Sequence, residues 1–86
     1  MNILWKSAWV VGGSAGLGAE LVRKLAAAGI DTHVSARNRD RLNELCDKFA
    51  TTKAYPLDIT DETACVRAAS DIHRSKNALP DLIILN

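Results

Sequence analysis

Apolar residues follow two alternating rhythms along this chain. Ala8-Trp9-Val10-Val11 is a continuous apolar run. It predicts a strand over Ser7 to Val11 that is covered on both faces, as a central strand of a parallel sheet is. From Leu17 the rhythm changes to one apolar position every three or four residues, at Leu17, Leu21, Leu25 and Ala28, with Glu20, Arg23 and Lys24 on the other side. That spacing predicts an amphipathic helix ended by Gly29 as the residue after the C-cap. Thr32 to Ala36 predicts a second strand, short and partly polar. Asn38 is the expected N-cap of a second helix, whose stripe is Leu42, Leu45, Cys46 and Phe49.

Lys53 to Pro56 predicts a third strand, and its proline suits a strand end or edge. Thr60 or Asp61 caps a third helix with Glu62 in its first turn, Ala64, Ala68 and Ile72 on one face, and Pro80 beyond its end. Asp81 to Asn86 predicts a fourth strand. Its core, Leu82 to Leu85, is continuously apolar, as in a strand buried on both faces with neighbours on both edges. The order β-α-β-α-β-α-β, with crossovers too long for hairpins, predicts an α/β fold. About four parallel strands would carry helices on both faces, joined by right-handed connections.

Composition narrows the setting. Eighty-six residues allow one small domain over residues 1–86, burying roughly 60–65% of the unfolded surface. At 48% hydrophobic, 24% charged and a net charge of +1, the chain lacks the general basic field that nucleic acid or an acidic membrane would attract. Any anion site must therefore be local. Cys46 and Cys65 belong to no C-x-x-C or Cys/His cluster and are expected as small buried apolar residues. The start, Met1 to Trp5, has no apolar run of signal-peptide length, and no run spans a bilayer. Cytoplasm is the expected location.

The chemistry gathers at Val10-Val11-Gly12-Gly13-Ser14-Ala15-Gly16-Leu17-Gly18, between the first strand and the first helix. A strand that turns abruptly into a helix leaves the helix's first N–H groups without partners, and with the dipole they favour an anion. Glycines at Gly12, Gly16 and Gly18 permit the turn and a close approach of phosphate to backbone. A tight turn that binds nothing has the same spacing.

Two further stretches lie just past the carboxyl ends of strands, where open α/β sheets bind ligands. After the second strand, Ala36 stands where a dinucleotide fold would carry an acid for the adenine ribose hydroxyls, and Arg37 follows at once. A guanidinium takes a phosphate bidentately; a solvated helix start is the other reading of Arg37 and the expected one of Arg39 and Arg41. After the third strand, Asp58 could accept from an adenine amino group while Ile59 lies along the ring, although Asp is also a common turn residue.

Other chemistries find no support. No G-K-[ST] follows the glycines, so this is not a P-loop, and Leu21 occupies the last glycine position of G-x-G-x-x-G. His33 and His73 have no ligand-spaced partner, and Trp5 and Trp9 suit packing. No metal site is expected.

Val11-Gly12-Gly13-Ser14-Ala15-Gly16-Leu17-Gly18 resembles the T-G-x-x-x-G-x-G cofactor motif of the short-chain dehydrogenase/reductase family. Ala36-Arg37-Asn38 is similar to the strand-2 end of its NADP-preferring members, and Leu57-Asp58-Ile59-Thr60 to its D-[VIL]-T turn. Asp81 to Asn86 resembles the run into N-N-A-G, with Asn86 on the second asparagine. The resemblance covers the whole chain in order and implies a Rossmann-like fold, the N-terminal portion of an NAD(P)-binding domain. It implies NADP(H) rather than NAD(H). The backbone at Ser14, Ala15, Gly16 and Leu17, with Gly12 and Gly18, would hold the pyrophosphate, and Ser14 would lie by the adenosine ribose. Arg37 would take the 2′-phosphate, Asp58 and Ile59 would bracket adenine, and Asn86 would lie near the ribose.

This sequence departs from the family at Val11, in place of the motif threonine, and at Leu85, in place of the first asparagine. The pair reads as one joint substitution. The family's catalytic serine and Y-x-x-x-K lie downstream of N-N-A-G. The only tyrosine, Tyr55, is followed by Pro56-Leu57-Asp58, so no residue here is expected to be catalytic. The expected role is the NADP(H)-binding N-terminal portion of an oxidoreductase acting on carbonyl or alcohol groups, inactive by itself. A non-catalytic nucleotide-binding or interaction module and a nonfunctional truncated remnant are the alternatives. An exposed edge at the fourth strand would invite homo-oligomers or other association.

Overall fold

The computed structural model describes residues 6–13, 16–76 and 80–85. The elements run β1 (Ser7–Val11), α1 (Gly16–Ala27), β2 (Asp31–Ser35), α2 (Arg39–Asp47), β3 (Thr52–Ala54), α3 (Glu62–Lys76) and β4 (Leu82–Leu85). All strand pairings are parallel, in the order β3-β2-β1-β4. The chain steps outward from β1 through β2 to β3, then crosses back over β1 to place β4 on its other side. That reversal lies between β1 and β4, the position at which open α/β sheets form a crevice.

Alternate residues of β1 serve two cores. Ala8 and Val10 join Val34 with α1 and α2, where Val22, Leu25, Leu42 and Leu45 are buried. Trp9 and Val11 face the other way, against Ala68 and Ile72 of α3. The predicted α3 face, Ala64, Ala68 and Ile72, is the face that packs. Between the layers, the Trp9 indole N–H donates to the buried Ser35 hydroxyl at 2.8 Å. His33 is buried beside Tyr55, their rings 5.4 Å apart.

Helix ends fall where cap chemistry puts them. At the end of α1, Ile30 N–H donates to Leu25 C=O at 3.1 Å and Gly29 N–H to Ala26 C=O at 3.0 Å, with Gly29 at φ 79°. This is a Schellman cap, sealed by the buried pair Ile30 and Leu25. Asn38 accepts from the N–H of Arg41 at 3.0 Å. Asp61, not Thr60, caps α3, accepting from Ala64 N–H at 3.1 Å.

Several expectations need correction. The buried face of α1 is Gly18, Ala19, Val22 and Leu25, whereas Leu17 and Ala28 are exposed and Leu21 is half-buried. Its inner face thus includes the small residues Gly18 and Ala19 and is rotated from the leucine stripe. Cys46 and Cys65 are half-buried rather than fully buried. The third strand ends formally at Ala54, but Tyr55 N–H still donates to Val34 C=O at 2.8 Å and Leu57 N–H to Ala36 C=O at 3.0 Å. Pro56 sits on the alternate phase of this edge strand, pointing its missing donor away from β2.

β4 is an edge strand, not one buried on both faces: Leu82 and Ile84 pack towards the α1 side, while Ile83 is 52% and Leu85 71% exposed. Among the described residues, the α3-side face of β4 is thus only partly covered. Its start is fastened by Asp81, whose carboxylate accepts from Lys6 N–H at 2.7 Å and Ser7 N–H at 3.2 Å.

Candidate functional site

In a parallel sheet the carboxyl ends of the strands share one edge. Here the β1–α1, β2–α2 and β3–α3 loops gather at it. The first loop is tied down at once. Gly12 N–H at 2.6 Å and Gly13 N–H at 3.3 Å both donate to the carbonyl of Ser35, the last residue of β2. Gly12 makes this turn at φ 90°, a conformation that other L-residues adopt only with strain.

Gly13 is buried, and a methyl group added there would come within 2.8 Å of Val34 Cγ1 and 3.2 Å of the nearest methyls of Val10 and Val22. Gly16 opens α1 at φ 59° in the opposite situation, with nothing within 4 Å of an added methyl. The first turn of α1 holds no acidic side chain. The loop thus ends in an open helix start with no like charge to oppose an anion.

The other two loops bring together residues that are far apart in sequence. Pairing of Leu57 N–H with Ala36 C=O carries the β2–β3 ladder past its formal end, so the next residue on each side emerges alongside its neighbour. Those residues are Arg37 and Asp58, with Arg37 Nη2 3.9 Å from Asp58 Oδ2. The Arg37 side chain is 78% exposed.

Asp58 is held by its own turn. Its Oδ1 accepts from the Thr60 hydroxyl at 2.6 Å and the Thr60 N–H at 2.9 Å, while its carbonyl accepts from Asp61 N–H at 2.9 Å. The Thr60 hydroxyl first, then the Thr60 N–H, holds the Asp58 carboxyl below the ordinary carboxylate value. Desolvation opposes this, and the Arg37 charge adds a still smaller downward pull. Asp58 is therefore a carboxylate with one oxygen engaged and the other directed towards Arg37.

The anticipated site residues thus divide. Gly12, Gly16, Leu17, Gly18, Arg37, Asp58 and Ile59 lie at or beside the carboxyl edge, with Leu17 and Ile59 exposed and Gly18 buried. Ser14, Ala15 and Asn86 lie outside the described residues. The sequence did not mark the parts that Gly13, Ser35 and Thr60 play here. Gly13 had one signal, its place in a glycine doublet; the carbonyl of Ser35 had none, because its role is purely backbone. Among the described residues no group of His, Cys, Asp and Glu is arranged to hold a metal, and no helix is long and apolar enough to cross a membrane.

Comparison with known proteins agrees with this architecture. Residues 6–86 match the family model described as short chain dehydrogenase. The chain is 31% identical over 90 residues to the short chain dehydrogenase tazN of Aspergillus terreus, covering 96% of this chain and 20% of that protein. It is 32% identical over 90 residues to the short chain dehydrogenase/reductase dpchH of Colletotrichum higginsianum, covering 94% and 22%. This chain thus spans about a fifth of the length of these relatives.

Among solved structures, a short chain dehydrogenase from Bacillus anthracis superposes with a TM-score of 0.87 at 19% identity, covering 94% of this chain and 34% of that one. One from Streptomyces avermitilis gives 0.82 at 26%, covering 91% and 29%. A metagenomic short-chain oxidoreductase in complex with NADP gives 0.83 at 22%, covering 91% and 37%. The match along nearly all of the sequence, on a Rossmann-like sheet of the same topology, places this chain in the short chain dehydrogenase/reductase family as its N-terminal part.

Proposed function

We propose that this chain holds NADP(H) for an oxidoreductase acting on carbonyl or alcohol groups. The observation that carries the reading is the meeting of Arg37 and Asp58 at the same sheet edge as the glycine turn. The residues present suit the group: the open, acid-free start of α1 at Gly16 suits a pyrophosphate, and the exposed guanidinium of Arg37 suits a 2′-phosphate. Buried Ala36 brings no charge to this position.

On this reading Gly12, Gly16, Leu17 and Gly18 shape the pyrophosphate turn together with Ser14 and Ala15, and Ser14 lies by the adenosine ribose. Asp58 and Ile59 bracket adenine, and Asn86 approaches the ribose. When bound, the nicotinamide supplies or accepts the hydride. This chain supplies binding and orientation, and none of its residues is assigned to proton transfer. The setting is cytoplasmic, without nucleic-acid or membrane partners. The exposed side chains of Ile83 and Leu85 on the β4 edge support association there with a further strand or a second copy.

Fluorescence titration of the purified protein with NADPH and NADH tests the reading. NADPH should bind more tightly, and Arg37→Leu should weaken NADPH about tenfold while sparing NADH. Equal or absent affinity for the two dinucleotides in the unaltered protein would refute the role of Arg37.

A further inference from the structure

The Asp58 carboxylate has two oxygens with different surroundings. Oδ1 is engaged twice by Thr60, through its hydroxyl at 2.6 Å and its N–H at 2.9 Å. That grip fixes the plane of the carboxylate and leaves Oδ2 as the oxygen that faces Arg37, 3.9 Å from Nη2. Arg37 makes no other ion pair among the described residues. We propose that Asp58 is a specificity-determining residue that acts through Arg37, limiting the preference for a 2′-phosphorylated dinucleotide. The inference rests on the NADP(H) reading above and concerns how strongly the site discriminates.

Asp58 and a 2′-phosphate compete for the same guanidinium. A guanidinium that meets a 2′-phosphate must turn its donors to the phosphate and give up part of its attraction to Asp58. This competition acts only on a dinucleotide that carries the 2′-phosphate. An adenine contact by Asp58, in contrast, is shared by NADPH and NADH and cancels in the ratio of their affinities. The ratio therefore isolates the effect of the carboxylate's charge from any part it has in holding adenine.

Asp58→Asn keeps the side-chain shape and an oxygen able to accept from Thr60, while removing the charge. The ratio of NADPH to NADH affinity, measured by fluorescence titration, should rise about threefold to tenfold at low salt and fall back as salt screens the site. In an Arg37→Leu background the same substitution should change the ratio much less. If the unaltered protein prefers NADPH but Asp58→Asn leaves the ratio unchanged or lowers it, this inference is overturned and the NADP(H) reading stands. An equal rise in both backgrounds also overturns it, because the carboxylate would then act without the guanidinium. If the unaltered protein shows no preference, the NADP(H) reading itself has failed. Circular dichroism spectra and urea midpoints of each variant separate these outcomes from a folding defect.

Discussion

Gly13→Ala tests how the glycine turn is built. The added methyl would lie 2.8 Å from Val34 Cγ1 and 3.2 Å from Val10 Cγ1 and Val22 Cγ2. Carbon atoms in contact prefer about 3.5–4.0 Å, so the nearest neighbour must retreat by roughly 0.7 Å. It has little freedom to do so, because all three valines are fully buried and β-branched side chains are stiff at χ1. Overpacking of this kind costs about 1–3 kcal/mol, and each kcal/mol lowers the melting temperature of a domain this size by roughly 4–8 °C.

Urea unfolding followed by tryptophan fluorescence provides the assay, since Trp9 is buried in the α3-side core. The midpoint should fall with little change in slope. Val34→Ala, which should itself cost about 2 kcal/mol, removes the methyl that the added group strikes. The double variant should therefore be more stable than the sum of the two losses by about 1 kcal/mol. Gly16→Ala provides the contrast. Its penalty is backbone strain at φ 59°, about 1–2 kcal/mol, and Val34→Ala should not relieve it. Strict additivity of Gly13→Ala with Val34→Ala would refute the packing argument.

Two further predictions concern polar groups. Val11 is buried and is the register partner of Leu85, so Val11→Thr alone should strand a hydroxyl and cost about 1–2 kcal/mol. Adding Leu85→Asn should recover part of the loss, and an unchanged melting temperature for Val11→Thr would refute the joint-substitution reading. The hydroxyl and N–H of Thr60 hold the Asp58 carboxyl below the ordinary carboxylate value. Its stabilising effect is therefore complete above the unfolded value and is lost as pH falls through the lower folded value. Urea midpoints measured down through that acid range should fall more steeply for the unaltered protein than for Asp58→Asn. Equal acid slopes would count against the held carboxylate.

Local chemistry made the element order legible. The caps at Asn38 and Gly29 act within a few residues of themselves, so neighbouring residue types were sufficient to find them. The α3 stripe was legible for the same reason: Ala64, Ala68 and Ile72 follow the helical period and face one surface. The phase of α1 was not. Of its leucines only Leu25 is buried, while Gly18, Ala19 and Val22 complete the inner face, so periodicity weighted by size points to one side of it. Burial of the small residues Gly18 and Ala19 is a tertiary effect with no local signature. β4 misled in another way: an apolar run shows that a strand can be buried, not that anything covers it. Ile83 and Leu85 retain that character on an exposed edge.

The glycine turn shows how much a motif leaves undecided. Spacing marks Gly12, Gly16 and Gly18 as a set, and family patterns treat the residue after Gly12 as variable. In the structure the demands are divided differently. Gly12 supplies the positive φ, and its N–H shares the Ser35 carbonyl with that of Gly13. Gly13 itself is required by the valines of β1, β2 and α1 that close around it. These two N–H groups therefore anchor the turn to β2. Gly16 combines a left-handed backbone with open space around its missing side chain, as Gly29 does at the other end of α1. A position whose freedom is not required by the core is where a close approach from outside makes physical sense. The core and any ligand thus draw on different glycines of one turn. Substitutions at Gly13 should report on folding and those at Gly16 on binding once backbone strain is subtracted.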